Sequence, residues 1–341
     1  MPCLRNKSMA ENSRIAMNIA LVSNQRQNAQ GIGNPIMYRM RDSLVRDDRV
    51  SEVVFVPFDN SIKSLRNIRR AAKTADILHV HFGGLYAVII WIFIIGTHAR
   101  RFITFHGTDI HAKSIKTAKS IKKKIKIRLN QWASFLSILL FSKTGFVAKE
   151  MTDYVPGILS RVLKRKAFIQ PLGVDYATFS PSSKEEAQKT LSLKTSHYVL
   201  FSDVSNTSIK RRDIAEAIVR HMGNDYRLLV MCGVKPQEVP CYINACDFLL
   251  LTSDEEGSPN IIRESLAMNK PVFSVQVGDA AIQLEGLRNS SIISRKPEEA
   301  AKVILEKIST KYSDNTRETR KSVLNFDEVN KSIVNLYSET L

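Results

Sequence analysis

Two carboxylates, Glu256 and Glu264, stand either side of a segment built to start a helix. Residues 247–277 read DFLLLTSDEEGSPNIIRESLAMNKPVFSVQV. The apolar run 247–252 has strand length, and 253–257 is a polar loop. Ser258 suits an N-cap, and Pro259 suits the first helical position, where a missing N–H costs nothing. The backbone N–H groups of Asn260 and Ile261 are then free to bind phosphate. A carboxylate beside a phosphate repels it unless it faces the ligand's hydroxyls, so this pair points to a ligand carrying both phosphate and sugar. Solvated helix-end acids are the plainer alternative, with Glu256 favourable to the helix dipole, and composition alone favours it.

Asn269 suits the left-handed residue that ends a helix, Pro271 forbids continuation, and 272–275 is a second buried strand. Strand, loop, helix, strand is the unit of a parallel α/β sheet, whose ligands sit at the carboxyl ends of strands. The first half carries strands at 17–23, 53–57, 77–81, 102–105, 145–148 and 167–171. Helices are expected at 35–45 and 61–74. The loop 24–34 holds Gly31 and Gly33, which allow close approach to a phosphate or sugar but are also common in turns for steric reasons. The strand 102–105 delivers His106-Gly107-Thr108-Asp109 at its carboxyl end. In the second half, strand 197–202 leads through a loop to helix 214–222, with Lys210 at its start. Strand 228–232, helix 240–246 and a closing helix 326–341 follow.

Two helices have unusual faces. Residues 85–95 are apolar all round, which predicts a fully buried helix rather than a membrane-dipping one. Residues 112–130 carry eight bases, and Ile121, Ile125, Leu129, Trp132 and Leu136 form one stripe. That stripe is expected to pack on the domain, with the lysines on the other face.

The motif EGSPNIIRESLAMNKPV, with its E-x7-E spacing, resembles the signature of the retaining GT-B glycosyltransferases called family 4 or group 1. This is the type that builds bacterial and archaeal surface polysaccharides, lipopolysaccharide among them. The segments FHGTD at 105–109, PLGVD at 171–175 and KRRDIAEA at 210–217 resemble further family segments. The resemblance implies an α/β fold of two facing doubly wound, Rossmann-like domains with the site in the cleft. It implies a retaining transfer of a sugar from a nucleotide-diphosphate sugar to a hydroxyl of a glycan, lipid-linked in this reading. By the same resemblance Glu256 meets the sugar hydroxyls and His106 reaches the sugar from the first domain. Lys210 neutralises the diphosphate, with Arg211 as a second base, and Glu264 holds the ribose. Gly257, Ser258, Asn260, Ile261 and Gly33 lie by the donor, and Asp109 and Gly31 on the acceptor side. The chain departs from the pattern at 203–207, which lacks the base many members carry, and at 233–239, which is short where relatives grip the nucleobase. No Asp-x-Asp occurs, so no metal and no cofactor beyond the nucleotide sugar is expected.

The organisation that follows is an extension 1–16, a first domain 17–175, a nucleotide-sugar domain 176–325, and a helix 326–341 crossing back. The extension has bases but no apolar core, unlike a secretory signal. Four cysteines without metal-site spacing fit reduced thiols. The net charge of +17 is uneven: residues 1–180 carry +18 and residues 181–341 carry −1. Lys122, Lys123, Lys124 and Lys126 are therefore expected to attach a cytoplasmic enzyme to an anionic membrane surface. No aromatic-interleaved basic strand supports nucleic-acid binding. A nucleotide-sugar epimerase of the same architecture, or a basic membrane- or nucleic-acid-binding protein without catalysis, are the alternatives.

Overall fold

The computed structural model describes residues 16–24, 35–107, 109–110, 120–203, 208–310 and 323–341. Gly31, Gly33, Lys113, Lys116, Lys119, most of the 1–16 extension and most of the loop 203–207 lie outside the described residues.

The strands form two all-parallel sheets. The first contains β1 (Met17–Asn24), β2 (Val50–Phe58), β3 (Ile77–His81), β4 (Arg100–Phe105), β5 (Lys143–Phe146) and β6 (Ala167–Ile169), in the order β2-β1-β3-β4-β5-β6. The second contains β7 (His197–Ser202), β8 (Tyr226–Met231), β9 (Phe248–Leu251), β10 (Val272–Val275) and β11 (Ser291–Ile293), in the order β11-β10-β9-β7-β8. The central strands are apolar on both faces because helices cover both, and β3 and β9 are buried along their whole length. Two doubly wound α/β domains result, as expected. In the second sheet the strand order reverses between β7 and β9, which opens a crevice at their carboxyl ends. Asn269 takes φ +58° and ends its helix as its type requires. The strand β11 was not expected from the sequence.

A last helix, Phe326–Thr340, packs on the first sheet. It is capped by Asn325, whose side chain accepts from the Asp327 N–H at 3.0 Å. Phe326, Ile333, Val334 and Tyr337 join Met17, Ile19, Leu21, Met37 and Phe102 in one core. Tyr337 is fully buried, and its hydroxyl meets His79 Nδ1. His79 Nε2 lies 2.8 Å from Thr104 Oγ1, which donates to Gln170 Oε1 at 2.8 Å. Proton directions follow from the acceptor at the end. Thr104 gives its hydrogen to Gln170 and accepts from His79 Nε2–H, so His79 Nδ1 accepts from Tyr337. Burial pushes the His79 pKa down to about 3, in keeping with a neutral ring.

Two helices turn their apolar faces the other way from expectation. The helix Leu85–Phe93 is not fully buried. Tyr86, Ala87 and Ile90 pack inward, while Leu85, Ile89, Ile92 and the following Ile95 are exposed. The basic helix runs Ile121–Leu140, later than the 112–130 expected. It packs on the domain through Ala133, Ser134, Phe135, Ser137 and Ile138. Its stripe of Ile121, Ile125, Leu129, Trp132 and Leu136 faces solvent. The domain takes the small and hydroxyl side chains because they allow close approach to β4 and its turn.

The Tyr337 hydroxyl sits at the head of a buried chain of donors and acceptors, so removing it leaves the His79 acceptor unmet. Tyr337→Phe should lower unfolding free energy by about 1–3 kcal/mol. Tyr337→Ala should cost about 3–5 kcal/mol through lost burial and the cavity together. Urea titration of both variants measures this, and a Tyr337→Phe protein as stable as the parent would break the hydrogen-bond chain described.

Candidate active site

The loops after β7 and β9 meet where the strand order reverses. Lys210 ends a one-turn 3-10 helix, Ser208–Lys210, ahead of the helix Arg212–Met222. Thr252 donates its hydroxyl to the carbonyls of Lys210 (3.0 Å) and Arg211 (2.9 Å). The Asp254 N–H donates to the Ile209 carbonyl at 2.8 Å. With the two loops bonded together, Lys210 Nζ comes to 2.6 Å from Glu256 Oε1. Ser253 Oγ donates to the same oxygen at 2.7 Å. Both charged side chains are largely shielded from water, at 24% and 16% exposure, so their attraction is stronger than that of a surface pair.

The helix after Glu256 runs Asn260–Ala267 and starts one residue later than expected. Pro259, in extended conformation, is the capping residue, and no side chain caps the helix. Its first-turn N–H groups, at Asn260 and Ile261, form the positive end of the helix dipole. Ser258 is not the cap. Its hydroxyl bonds Asp279 and Arg263, a buried pair whose charged atoms are 3.1 Å apart. That side chain is spent inside its own domain, which corrects its expected place on the donor. Arg211 is also engaged within its own domain. It holds a left-handed backbone at φ +54°, and its guanidinium is paired with Asp213 at 2.8 Å and Asp254 at 3.4 Å. Arg212 is likewise paired with Glu216 at 2.8 Å. Each arginine has an acid of its own domain beside it, as Lys210 has Glu256.

The opposite wall comes from the first domain. β4 delivers His106, whose Nε2 lies 3.1 Å from His81 Nδ1 and whose ring stacks on Phe82 at 4.2 Å. Phe82 sits at φ +72°, a strained backbone for a bulky residue. The Tyr86 hydroxyl holds it there by donating to the Phe82 carbonyl at 2.6 Å. Burial pushes the His106 pKa down to about 3 and that of His81 well below its usual value, so both rings are neutral at physiological pH. His81 Nε2 is buried without a partner among the described residues. A buried bare lone pair is commoner than a buried bare N–H, which places the His81 proton on Nδ1. His81 then donates to His106 Nε2, and His106 carries its own proton on Nδ1.

Asp109 does not face the cleft. Its buried carboxylate accepts the N–H groups of Gly83 (2.7 Å), His106 (3.1 Å) and Gly107 (2.8 Å). It holds the turn that carries His106, and the expected acceptor-side role is corrected on that ground.

The two walls touch. A Cβ on Gly257 would stand 2.5 Å from the His106 carbonyl oxygen, closer than any side chain allows. Glu264, in the second turn of its helix, lies 3.8 Å from Arg39 of the first domain. Arg39 also stands 5.1 Å over the Phe179 ring. Nothing in the sequence marked Arg39, one of two bases on the amphipathic helix Pro35–Leu44. Burial pushes the Glu264 carboxyl up to about 7, against the pull of Arg39 and Arg263. The structure thus brings Lys210, Glu256, Gly257, Asn260, Ile261, Glu264 and His106 to one cleft, and Gly31 and Gly33 lie outside the described residues. Among the described residues no three His, Cys, Asp or Glu side chains converge as a metal site would require.

No protein-family model matches the chain, and no curated protein matches it. Solved structures do. Sucrose-phosphate synthase from Thermosynechococcus elongatus superposes with a TM-score of 0.67 at 15% identity, covering 95% of this chain and 99% of that one. HepE from Anabaena, in complex with UDP-glucose, gives 0.68 at 14% identity over 95% and 100%. A UDP-forming alpha,alpha-trehalose-phosphate synthase from Burkholderia vietnamiensis gives 0.62 at 9% identity over 95% and 100%. The fold is GT-B. In GT-B terms the cleft described above lies between the two domains, with Lys210, Glu256 and Glu264 on the second and His106 and Arg39 on the first.

The raised Glu264 pKa makes a signed prediction. A carboxyl at about 7 in the folded chain and near 4.5 in the unfolded one loses its proton first on unfolding. Stability is therefore lost as pH rises from about 4.5 to about 7, by an amount on the order of 3 kcal/mol once complete. Glu264→Gln should match the parent near pH 4 and exceed its stability above pH 7. Denaturation midpoints across this range check it, and parallel pH profiles for the two proteins would contradict the raised carboxyl.

Proposed function

We propose that this protein is a glycosyltransferase that moves a sugar from a nucleotide-diphosphate donor to an acceptor hydroxyl with retention of anomeric configuration. The observation that carries the proposal is the Lys210–Glu256 pair at the crevice of the second domain, beside the uncapped helix start at Asn260. An ammonium and a helix N-terminus together suit a departing diphosphate. A carboxylate next to them suits sugar hydroxyls, and Glu264 one turn further suits the two ribose hydroxyls. His106, neutral and donating through Nδ1, suits a hydroxyl of the transferred sugar, where a cation is not needed. The complex of HepE with UDP-glucose supports a UDP-hexose as donor.

In this reading no metal is required, because Lys210 and the helix N–H groups meet the charge of the leaving group. The acceptor is a glycan on a lipid carrier, as in surface-polysaccharide synthesis. The site of work is the cytoplasmic face of the membrane. No described helix is long and apolar enough to cross a bilayer, so any attachment by these residues is to the surface.

Screening nucleotide sugars for thermal stabilisation and slow hydrolysis identifies the donor, since a bound donor raises the apparent melting point. Lys210→Ala and Glu256→Gln should each reduce kcat/KM by roughly 2–5 kcal/mol of transition-state stabilisation. Normal turnover in both would sink the assignment. NMR of the product should show the donor's anomeric configuration preserved, and turnover should survive EDTA. An inverted product, or activity abolished by EDTA and restored by magnesium, would refute the retaining, metal-free reading.

A further inference from the structure

The helix Ile121–Leu140 is about 30 Å long and amphipathic in the wrong sense for a helix that serves only its own domain. Ile121, Ile125, Leu129, Trp132, Leu136 and Leu139 step by three and four residues, so they lie along one side. All six are exposed, Ile121 at 76% and Trp132 at 64%. The neighbouring helix Leu85–Phe93 runs alongside. The Leu85 N–H donates to Asn130 Oδ1 at 3.1 Å, and Trp91 Nε1 donates to the Leu140 carbonyl at 2.9 Å. It adds a second exposed row of Leu85, Ile89, Ile92 and Ile95. Single exposed apolar residues are ordinary, whereas aligned rows of ten on adjacent helices mark a surface that is covered in use.

Charge selects what covers it. Lys122, Lys123, Lys124, Lys126 and Arg128 flank the stripe, and the first turn of the helix has no acid. Three lysines in a first turn oppose the helix dipole in water, a cost that anionic groups at the same place reverse. A second copy of this chain would bring like charges together across the apolar face. A sheet of anionic lipid headgroups over acyl chains matches both the bases and the apolar row.

We propose that this pair of helices is an interfacial anchor, in which the apolar rows enter the outer acyl region of an anionic bilayer while the flanking bases engage lipid phosphates. The proposal deepens the surface attachment suggested above. It replaces adsorption by lysines alone with insertion of a helix lying in the membrane plane. It rests on the glycosyltransferase reading only for what the anchor serves. The anchor is joined to the cleft directly. Ser134 Oγ donates to the Asp109 carbonyl at 2.6 Å, and Gln131 Nε2 donates to the Ile110 carbonyl at 3.1 Å. Because the segment carrying these bonds follows the carboxyl end of β4, the basic half of the helix starts on the cleft side of the domain. A docked anchor therefore sets the mouth of the cleft against the bilayer, where a lipid-carried hydroxyl arrives.

The test uses the full chain with phosphatidylglycerol–phosphatidylcholine vesicles and with phosphatidylcholine alone. Trp132 is an internal reporter, since the only other tryptophan, Trp91, is held against the Leu140 carbonyl. Its emission should shift to the blue on anionic vesicles and be quenched by brominated acyl chains. The double variant Ile125→Ser, Leu129→Ser should bind anionic vesicles roughly tenfold less tightly, with its charges intact. Part of the parent's binding should persist at about 0.5 M salt, where lysine attraction is screened, and that part should vanish in the double variant. Thermal stabilisation by nucleotide sugars should be the same in parent and variant. This separates failure of the anchor from failure of the enzymatic reading. Unchanged Trp132 emission, parental binding by the double variant, or equal binding to neutral vesicles would overturn the proposal. So would a lipid-free dimer abolished by the same two substitutions, which would assign the surface to a second copy.

Discussion

The cleft depends on a contact where no side chain fits. Gly257 lies against the carbonyl of His106, and a Cβ on Gly278, at φ +52°, would in turn stand 2.4 Å from the Gly257 carbonyl oxygen. Three backbone segments are stacked at the closest distance that backbone permits. Any residue larger than glycine at 257 would lever the domains apart by the thickness of its side chain. Since Glu256 precedes this point and Asn260 follows it, their distance from His106 is fixed by the same contact. Asp109 secures the opposing turn by gathering three N–H groups, so neither wall of the contact is a free loop.

Around that contact the charges are arranged in two different ways. Lys210 and Glu256 neutralise each other, whereas Glu264 is crowded by burial into holding a proton near neutrality. In the proposed donor complex, a diphosphate at Lys210 would meet an ammonium that already has a partner. Under that proposal its binding would redistribute the charge, turning Glu256 from a counter-ion of lysine into an acceptor for hydroxyls. The histidines take no part in this exchange, because burial keeps all three neutral. Among its described residues the first domain therefore contributes directed hydrogen bonds, together with the cation Arg39 at the edge.

Much of this was legible in the sequence because it is local. Apolar runs bounded by Gly, Pro or polar loops located the strands, and the run from Glu256 to Pro271 carried its helix signals with it. What escaped was long-range. Arg39 and Glu264 come from different domains, far apart in the chain, and no local pattern announces the pair. The Asp109 carboxylate reads from sequence as available, yet its three N–H partners surround it only once Gly83 is brought near. The faces of the two apolar helices were misread for a different reason. A stripe with helical period says that one side is apolar, and it is silent on whether that side packs on the domain or stays exposed. Ser134 and Ser137, small polar residues on the side that does face the sheet, were the available clue.

The closing helix ties the first domain to material made much later. Tyr337, Ile333 and Val334 complete the core that begins with Met17 and Ile19, and His79 stays without its hydroxyl partner until Tyr337 is in place. On the ribosome, the first sheet must wait while the entire second sheet is synthesised. Until then it exposes apolar surface on the side of β1, β3 and β4 that the helix will cover. The core of the second domain draws on residues from Val174 to Val323, so it can close before the last helix is made. The order of folding is thus the reverse of the order of synthesis for part of the chain, a late closure that makes the early half the one exposed to misassociation.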